Sequence, residues 1–494
     1  MLSFVSFGFL LFLIICVTGY YLLPGNSRPF WLLAFSWLYY LLAAGPGLIF
    51  FLLFSTAVTY CGGLFAERGN KAALPVSLLL DFGMLAFLKY TNFLVFNFNA
   101  LFGTELHLQK LLLPLGISFY TFQTAGYVLD VTWKRCKAER NIFRYALFVS
   151  FFPQIMQGPI GRYDRLSGSL FASHPFDPVN IQRGLIRILW GFFKKMLIAD
   201  YAALYVNSIF DPAASVHGYG ILGVLMYSAE LYADFSGGID IVLGIAGMLG
   251  ITLDENFRQP FFAVSITDFW HRWHITLGTW MKDYLFVPVS LSGWMGRFGK
   301  WCRKHLGKTT GRAMPVCVAN IIVFLVVGIW HGPAWHFIIY GLYNGLIIAV
   351  SGLLVKPYRT WKKVLRINDK SRGFHLFQII RTFILVNISW YFNCSETLPQ
   401  AFRMMRESLH APFFSISFVN PGEPRQCMLH FITILAGCAV VFFISILRER
   451  GTDVRGNILK IPVPARIFLL ILLLFVLGLF GSYDDFGGFI YANF

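Results

Sequence analysis

The sequence predicts an all-α integral membrane protein. Three observations carry that expectation: a composition too apolar for water, hydrophobic runs of membrane-crossing length along the whole chain, and cations gathered between those runs. Of 494 residues, 57% are hydrophobic and 13% charged, against about 45–50% and about 25% in soluble domains. Runs at 4–23, 30–42, 184–206, 317–330, 337–355, 429–447 and 467–480 approach the roughly 20 residues that cross a bilayer. Counting the weaker runs as well, about eleven transmembrane helices are expected, with interfacial and re-entrant helices between them. The first run has no cations ahead of it and no small-residue cleavage site behind it, so it reads as a retained span and not a signal peptide.

The net charge of +17 does not imply nucleic acid, because the cations sit between apolar runs, where cytoplasmic flanks collect Lys and Arg. Four stretches are basic: 134–144, 297–312, 356–372 and 448–466. All four read as cytoplasmic loops, which leaves 393–428 as an extracytoplasmic loop. The eight cysteines form no C-x-x-C pair, so neither a metal site nor a disulfide framework is expected. With no repeat or linker, residues 1–494 read as a single membrane domain.

Between the basic stretches 297–312 and 356–372, a membrane hairpin is expected to turn at Trp330-His331-Gly332-Pro333-Ala334. Its first limb, 316–330, makes about 22 Å of helix, short of a roughly 30 Å hydrocarbon core, so His331 should stop at depth. Pro333 cannot donate to the carbonyl of Ile329, and irregular backbone at that depth is tolerated only inside protein or beside a watery cavity. An ionisable residue in such a hairpin is a functional candidate, and imidazole suits general-base work near neutral pH. The alternative is a histidine that only ties helices together, the reading preferred for His336.

The stretch TDFWHRWHITLGTWMKDYLF (267–286) reads as one amphipathic interfacial helix. Phe269, Trp273, Leu277, Trp280 and Tyr284 form one stripe, and His274 borders it beside Trp270 and Met281. His271 falls with the charged face; both histidines could instead face headgroups. In 181–199, Arg183, Arg187 and Lys194 share a cationic stripe opposite Leu185, Leu189, Phe192 and Met196. That stripe could hold the phosphates of a donor or anchor to anionic lipid. The run LYADFSGGIDI (231–241) puts Asp234, Ser236 and Asp240 beside paired glycines, as a polar path or simply a loop. No H-E-x-x-H, serine elbow or complete phosphate-binding loop is present; Gly307-Lys308-Thr309 has Cys302 where the loop needs its first glycine.

Several long segments together resemble the membrane-bound O-acyltransferase family, particularly its bacterial branch of alginate O-acetyltransferase and D-alanyl transfer proteins. They are LPLGISFYTFQTAGYVLDV (113–131), FFPQIMQGPIGRY (151–163), GFFKKMLIAD (191–200), FRQPFFAVSITDFWHRWHITLGTWMKDYLFVP (257–288) and GIWHGPAWHFIIYGLYNG (328–345), with an echo in the closing FGGFIYANF. The resemblance implies a multi-pass helical ring around a central tunnel, with a core at about 110–350. It matches the family's essential histidine to His331 and its second polar residue to His274, 57 positions earlier. Trp330, Trp270, Asn344, Asp234 and Ser236 are the expected tunnel residues. After Pro288 the chain reads Val289-Ser290-Leu291-Ser292-Gly293 in place of the glycine-rich stretch typical of alginate-type proteins, which leaves the substrate open.

The implied activity moves a small acyl group, most simply acetyl, from a cytoplasmic thioester such as acetyl-CoA toward a cell-surface polysaccharide. No bound cofactor is expected. The expected partners are membrane lipid, the thioester donor, the polysaccharide, and an extracytoplasmic SGNH-type or similar protein that completes the transfer; the expected location is the bacterial cytoplasmic membrane. The rivals are D-alanyl transfer from a carrier protein to teichoic acid and, in another class, a transporter or flippase whose buried His and Asp residues conduct.

Overall fold

A computed structural model describes residues 6–155, 157–211, 219–409, 424–482 and 489. Helices dominate the described residues, and the one strand-like feature among them is an isolated pairing of Phe257 with Trp273. That is what an apolar solvent demands, since helices satisfy their own backbone hydrogen bonds. Seven described helices are long and apolar enough to cross a membrane: Ile49–Glu67, Ala73–Phe102, Gly220–Met248, Gly293–His331, Trp335–Leu353, Arg425–Glu449 and Val463–Phe480. Other apolar runs form shorter helices, such as Phe7–Leu22 and Arg28–Ala44. The protein is an all-helical integral membrane protein.

The chain falls into two compact units, Met1–Asp200 with Leu231–Asp254 and Thr433–Phe494, and Tyr201–Glu230 with Glu255–Ile432. In the first, the helix Ile117–Thr132 is buried along almost its whole length. Thr124 and Ser55 donate to the buried carboxylate of Asp81 at 2.7 and 2.5 Å. The second unit is organised around the hairpin of Gly293–His331 and Trp335–Leu353. A Cβ on Gly328 would lie 2.5 Å from the carbonyl oxygen of Phe337, and one on Gly341 would lie 2.2 Å from that of Phe324. Two backbones this close need glycine at the crossing.

Several expectations are corrected. The basic stretches carry helix: 297–312 lies within Gly293–His331, 356–372 begins in Val355–Val364, and 448–466 contains Val454–Lys460. Long cationic side chains can extend to the interface while their backbone stays helical. Inside Gly293–His331 the break falls at Gly307, whose φ of 78° and ψ of 167° are not helical, and Pro315 does not interrupt the helix. The limb 308–331 therefore makes about 36 Å of helix, enough to span the slab, so its length does not set the depth of His331. The run 231–241 is not a loop but part of the continuous helix Gly220–Met248. Of the expected loop 393–428, Leu398–Ser408 is helical and 410–423 lies outside the described residues. In the closing motif 486–494, Phe489 alone is described.

Candidate active site

His274 owes its position to a local pairing of two segments of the second unit. The Arg258 N–H donates to the carbonyl of Arg272 at 2.9 Å, and the Ile275 N–H to that of Asn256 at 3.0 Å. Between those bonds the backbone turns at His274 with φ 46° and ψ 54°, a left-handed conformation that costs a non-glycine residue about 1–3 kcal/mol. The single helix expected over 267–286 is therefore divided into Ile266–Arg272 and Ile275–Met281, followed by a π-helical turn at Lys282–Phe286. The stripe is thus not carried on one continuous helix, yet Phe269, Trp273, Leu277, Trp280 and Tyr284 are all buried, and His274 beside them is 2% exposed.

One amide fixes the state of that imidazole. Asn256 Oδ1 accepts from the backbone N–H and the hydroxyl of Thr276, both at 3.0 Å, and lies 3.1 Å from His274 Nδ1. A backbone N–H can only donate, so the Asn256 atom facing all three is the oxygen, and Nδ1 carries a proton. When the ring is neutral its lone pair is therefore on Nε2.

His331 ends the first limb of the hairpin and is 4% exposed. Its ring centroid lies 5.0 Å from Trp330, 5.0 Å from Tyr340 and 6.1 Å from Phe337. His274 packs against the same indole, 5.8 Å from Trp330, so the two imidazoles share one tryptophan neighbour. Trp270 Nε1 donates to Asn344 Oδ1 at 3.3 Å, while Asn344 Nδ2 donates to the Tyr340 carbonyl at 2.9 Å. Trp330, Trp270 and Asn344 thus stand with both histidines in the second unit. His271 is exposed. His336 sits between helices, its Nδ1 donating to the carbonyl of Phe392 at 2.7 Å.

The other candidate residues lie in the first unit. Lys194 Nζ is 2.7 Å from Ser236 Oγ and 2.8 Å from Asp240 Oδ2, and Arg187 Nε is 2.7 Å from Asp240 Oδ1. Lys195 Nζ lies 2.7 Å from Asp234 and 2.9 Å from Asp200, 4.8 Å from the ring of Phe489. The cationic stripe of 181–199 faces protein at Arg187 and Lys194, while Arg183 and Leu185 are exposed. In an apolar solvent the polar face turns inward, the reverse of the expectation in water.

Sequence reasoning did not single out Asn256, Tyr340 or Lys195. Nothing in the periodicity marks Asn256, 18 positions before the residue it orients. Lys195 had a signal in glycine spacing: a Cβ on Gly191 would come 2.6 Å from the Gly237 carbonyl, and one on Gly184 2.6 Å from that of Gly244. Two helices with glycines seven apart in each can bring their charged neighbours into contact.

Taken together, these features define a polytopic membrane protein with two enclosed imidazoles, one of them held in a defined tautomer. Residues 138–364, which include both histidines, match the profile of MBOAT, the membrane-bound O-acyltransferase family. The chain is 32% identical over 444 residues to the "Probable alginate O-acetylase AlgI" of Azotobacter vinelandii, covering 87% of this chain and 82% of that protein. It is also 32% identical to the peptidoglycan O-acetyltransferase of Helicobacter pylori, over 67% of this chain and 64% of the other. With the teichoic acid D-alanyltransferase of Bacillus subtilis it shares 30% identity, over 56% of this chain and 67% of the other. The chain belongs to the membrane-bound O-acyltransferase family and is an O-acyltransferase.

Proposed function

We propose that this acyltransferase moves an acetyl group from a cytoplasmic thioester toward a hydroxyl of a cell-surface polysaccharide, with His331 as general base. The observation that carries the reading is the pair of enclosed imidazoles that both pack against Trp330 within the segment that matches the family. The broad similarity to an alginate O-acetylase supports acetyl and polysaccharide. In the reaction, an imidazole nitrogen of His331 takes the proton of the acceptor hydroxyl as its oxygen bonds to the thioester carbonyl carbon. The tetrahedral adduct collapses, the C–S bond breaks, and the thiolate leaves with the proton held by the imidazolium. His274, with Nδ1–H engaged by Asn256, offers Nε2 as an acceptor. It is suited to orient a donor group, whereas polarising a carbonyl would require that ring to be protonated.

On this reading the enzyme works in a bacterial cytoplasmic membrane, and an extracytoplasmic SGNH-type protein completes delivery to the polymer. D-alanyl transfer is the second reading, favoured by the similarity to a teichoic acid D-alanyltransferase over a smaller share of this chain. The test supplies purified protein in vesicles with acetyl-CoA or with a D-alanyl carrier protein, and measures thioester consumed and ester formed. Acetyl-CoA consumption matched by ester supports the first reading, and consumption of the carrier thioester alone supports the second. Solute flux without thioester consumption would instead favour a transporter.

A further inference from the structure

The second limb of the hairpin, Trp335–Leu353, makes about 28 Å of helix, close to the roughly 30 Å of a hydrocarbon core. The chain that leaves it does not turn straight back. After the cap residue Leu354 a short helix, Val355–Val364, begins at once, and the next long helix starts only at Arg372. The short helix is thereby tethered where a limb long enough to cross the membrane ends, and none of its residues is buried.

Its sequence, VKPYRTWKKV, separates two faces. At about 100° per residue, Tyr358 and Trp361 fall with the cap residues Leu354 and Leu365 in one arc of about 60°, and Lys356, Arg359 and Lys363 fill a similar arc nearly opposite. The apolar arc is uncovered: Tyr358, Trp361 and Leu365 are 39%, 54% and 68% exposed. A contiguous apolar face of this kind marks a contact with something outside the chain. The cations differ in what they meet. Lys356 Nζ donates to Thr309 Oγ1 at 2.7 Å, which ties the helix to the first limb just past its break at Gly307, and Lys362 Nζ pairs with Asp369 at 2.8 Å. Arg359 and Lys363 meet no carboxylate among the described residues. Lys308 and Arg312, exposed on either side of Thr309, extend the positive charge, and no Asp or Glu stands between Tyr284 and Asn368. The complementary charge must come from outside.

We propose that Val355–Val364 lies flat in the membrane surface and selects anionic phospholipid. Tyr358, Trp361 and the flanking leucines enter the boundary between headgroups and acyl chains, while Arg359 and Lys363 stay in the headgroup layer, within the negative surface potential of the lipid. A soluble anion such as a nucleotide would account for the cations but not for the uncovered aromatic and leucine side chains. Trp and Tyr at the end of a membrane span favour the headgroup level.

The test is hydrogen–deuterium exchange of the purified full-length protein in nanodiscs of phosphatidylcholine alone and of equal parts phosphatidylcholine and phosphatidylglycerol, read on peptides covering 355–364. The helix amides should exchange at least about fivefold more slowly in the anionic discs, the factor that about one cation at an anionic surface contributes. Arg359→Gln combined with Lys363→Gln should abolish that difference, and Trp361→Ser should speed exchange in both lipids. All three positions are exposed, so the melting temperature in detergent should stay at the wild-type value. Equal exchange in the two lipids, a slowing that the double variant keeps, or an unchanged rate in Trp361→Ser would overturn the proposal. Protection in phosphatidylcholine discs on adding coenzyme A would also overturn it, by assigning the cations to a soluble anion. The lipid comparison contains no acyl donor, so its outcome does not depend on whether His331 acts as a base.

Discussion

The two units bury their candidate site residues in different ways. In the first, Arg187, Lys194 and Lys195 each stand 2.7–2.9 Å from a carboxylate of Asp240, Asp234 or Asp200. In the second, His331 is walled by Trp330, Tyr340 and Phe337, His274 packs against the same Trp330, and the amide of Asn256 fixes the His274 ring. A buried ion costs several kcal/mol in lost hydration and requires a counter-ion, whereas a neutral imidazole can be satisfied by rings and single hydrogen bonds. Charges that pair with one another hold helices in register, while an imidazole held in one tautomer presents nitrogens of defined donor and acceptor character. An ionisable residue in a membrane sequence is therefore two different signals, separated by what faces it.

Substitutions at four positions probe that contrast. Asp240→Ala leaves Arg187 and Lys194 without their shared carboxylate and should cost about 3–5 kcal/mol, read as a lower melting temperature in detergent; an unchanged melting temperature would remove its role as scaffold. Gly341→Leu forces a side chain toward the Phe324 carbonyl and should cost about 1–3 kcal/mol or more. Because that crossing also sets the hairpin end, acyl transfer should fall with stability, and activity retained in a destabilised protein would uncouple the two. Asn256→Leu removes the acceptor that fixes the His274 tautomer and should lower turnover about tenfold, with Asn256→Asp, which keeps an acceptor oxygen, falling less. Arg183→Gln, at an exposed position, should change stability by less than about 0.5 kcal/mol; a larger effect, or a weakened donor affinity, would mean that the stripe serves a ligand after all.

Much of this arrangement could be read from residue order. Helical membrane architecture followed from composition, and the hairpin turn at 331–334 followed from a proline and a glycine between two apolar runs. The break at His274 could not be read, because Phe269, Trp273 and Leu277 keep a helical period across it. A pairing with residues 256–258, remote in sequence, overrides that period. The orientation of 181–199 was hidden for another reason: amphipathic reasoning from water turns cations outward, and only the glycines at 184, 191, 237 and 244 point to the close helix contact that turns them in.

The central claim concerns one imidazole, and its direct test is single-turnover acyl transfer by wild type and His331→Ala in the same vesicles. The account predicts a fall of about 10²–10⁴-fold for the variant, with melting temperature and donor binding kept. Transfer at the wild-type rate by a folded His331→Ala protein would contradict it.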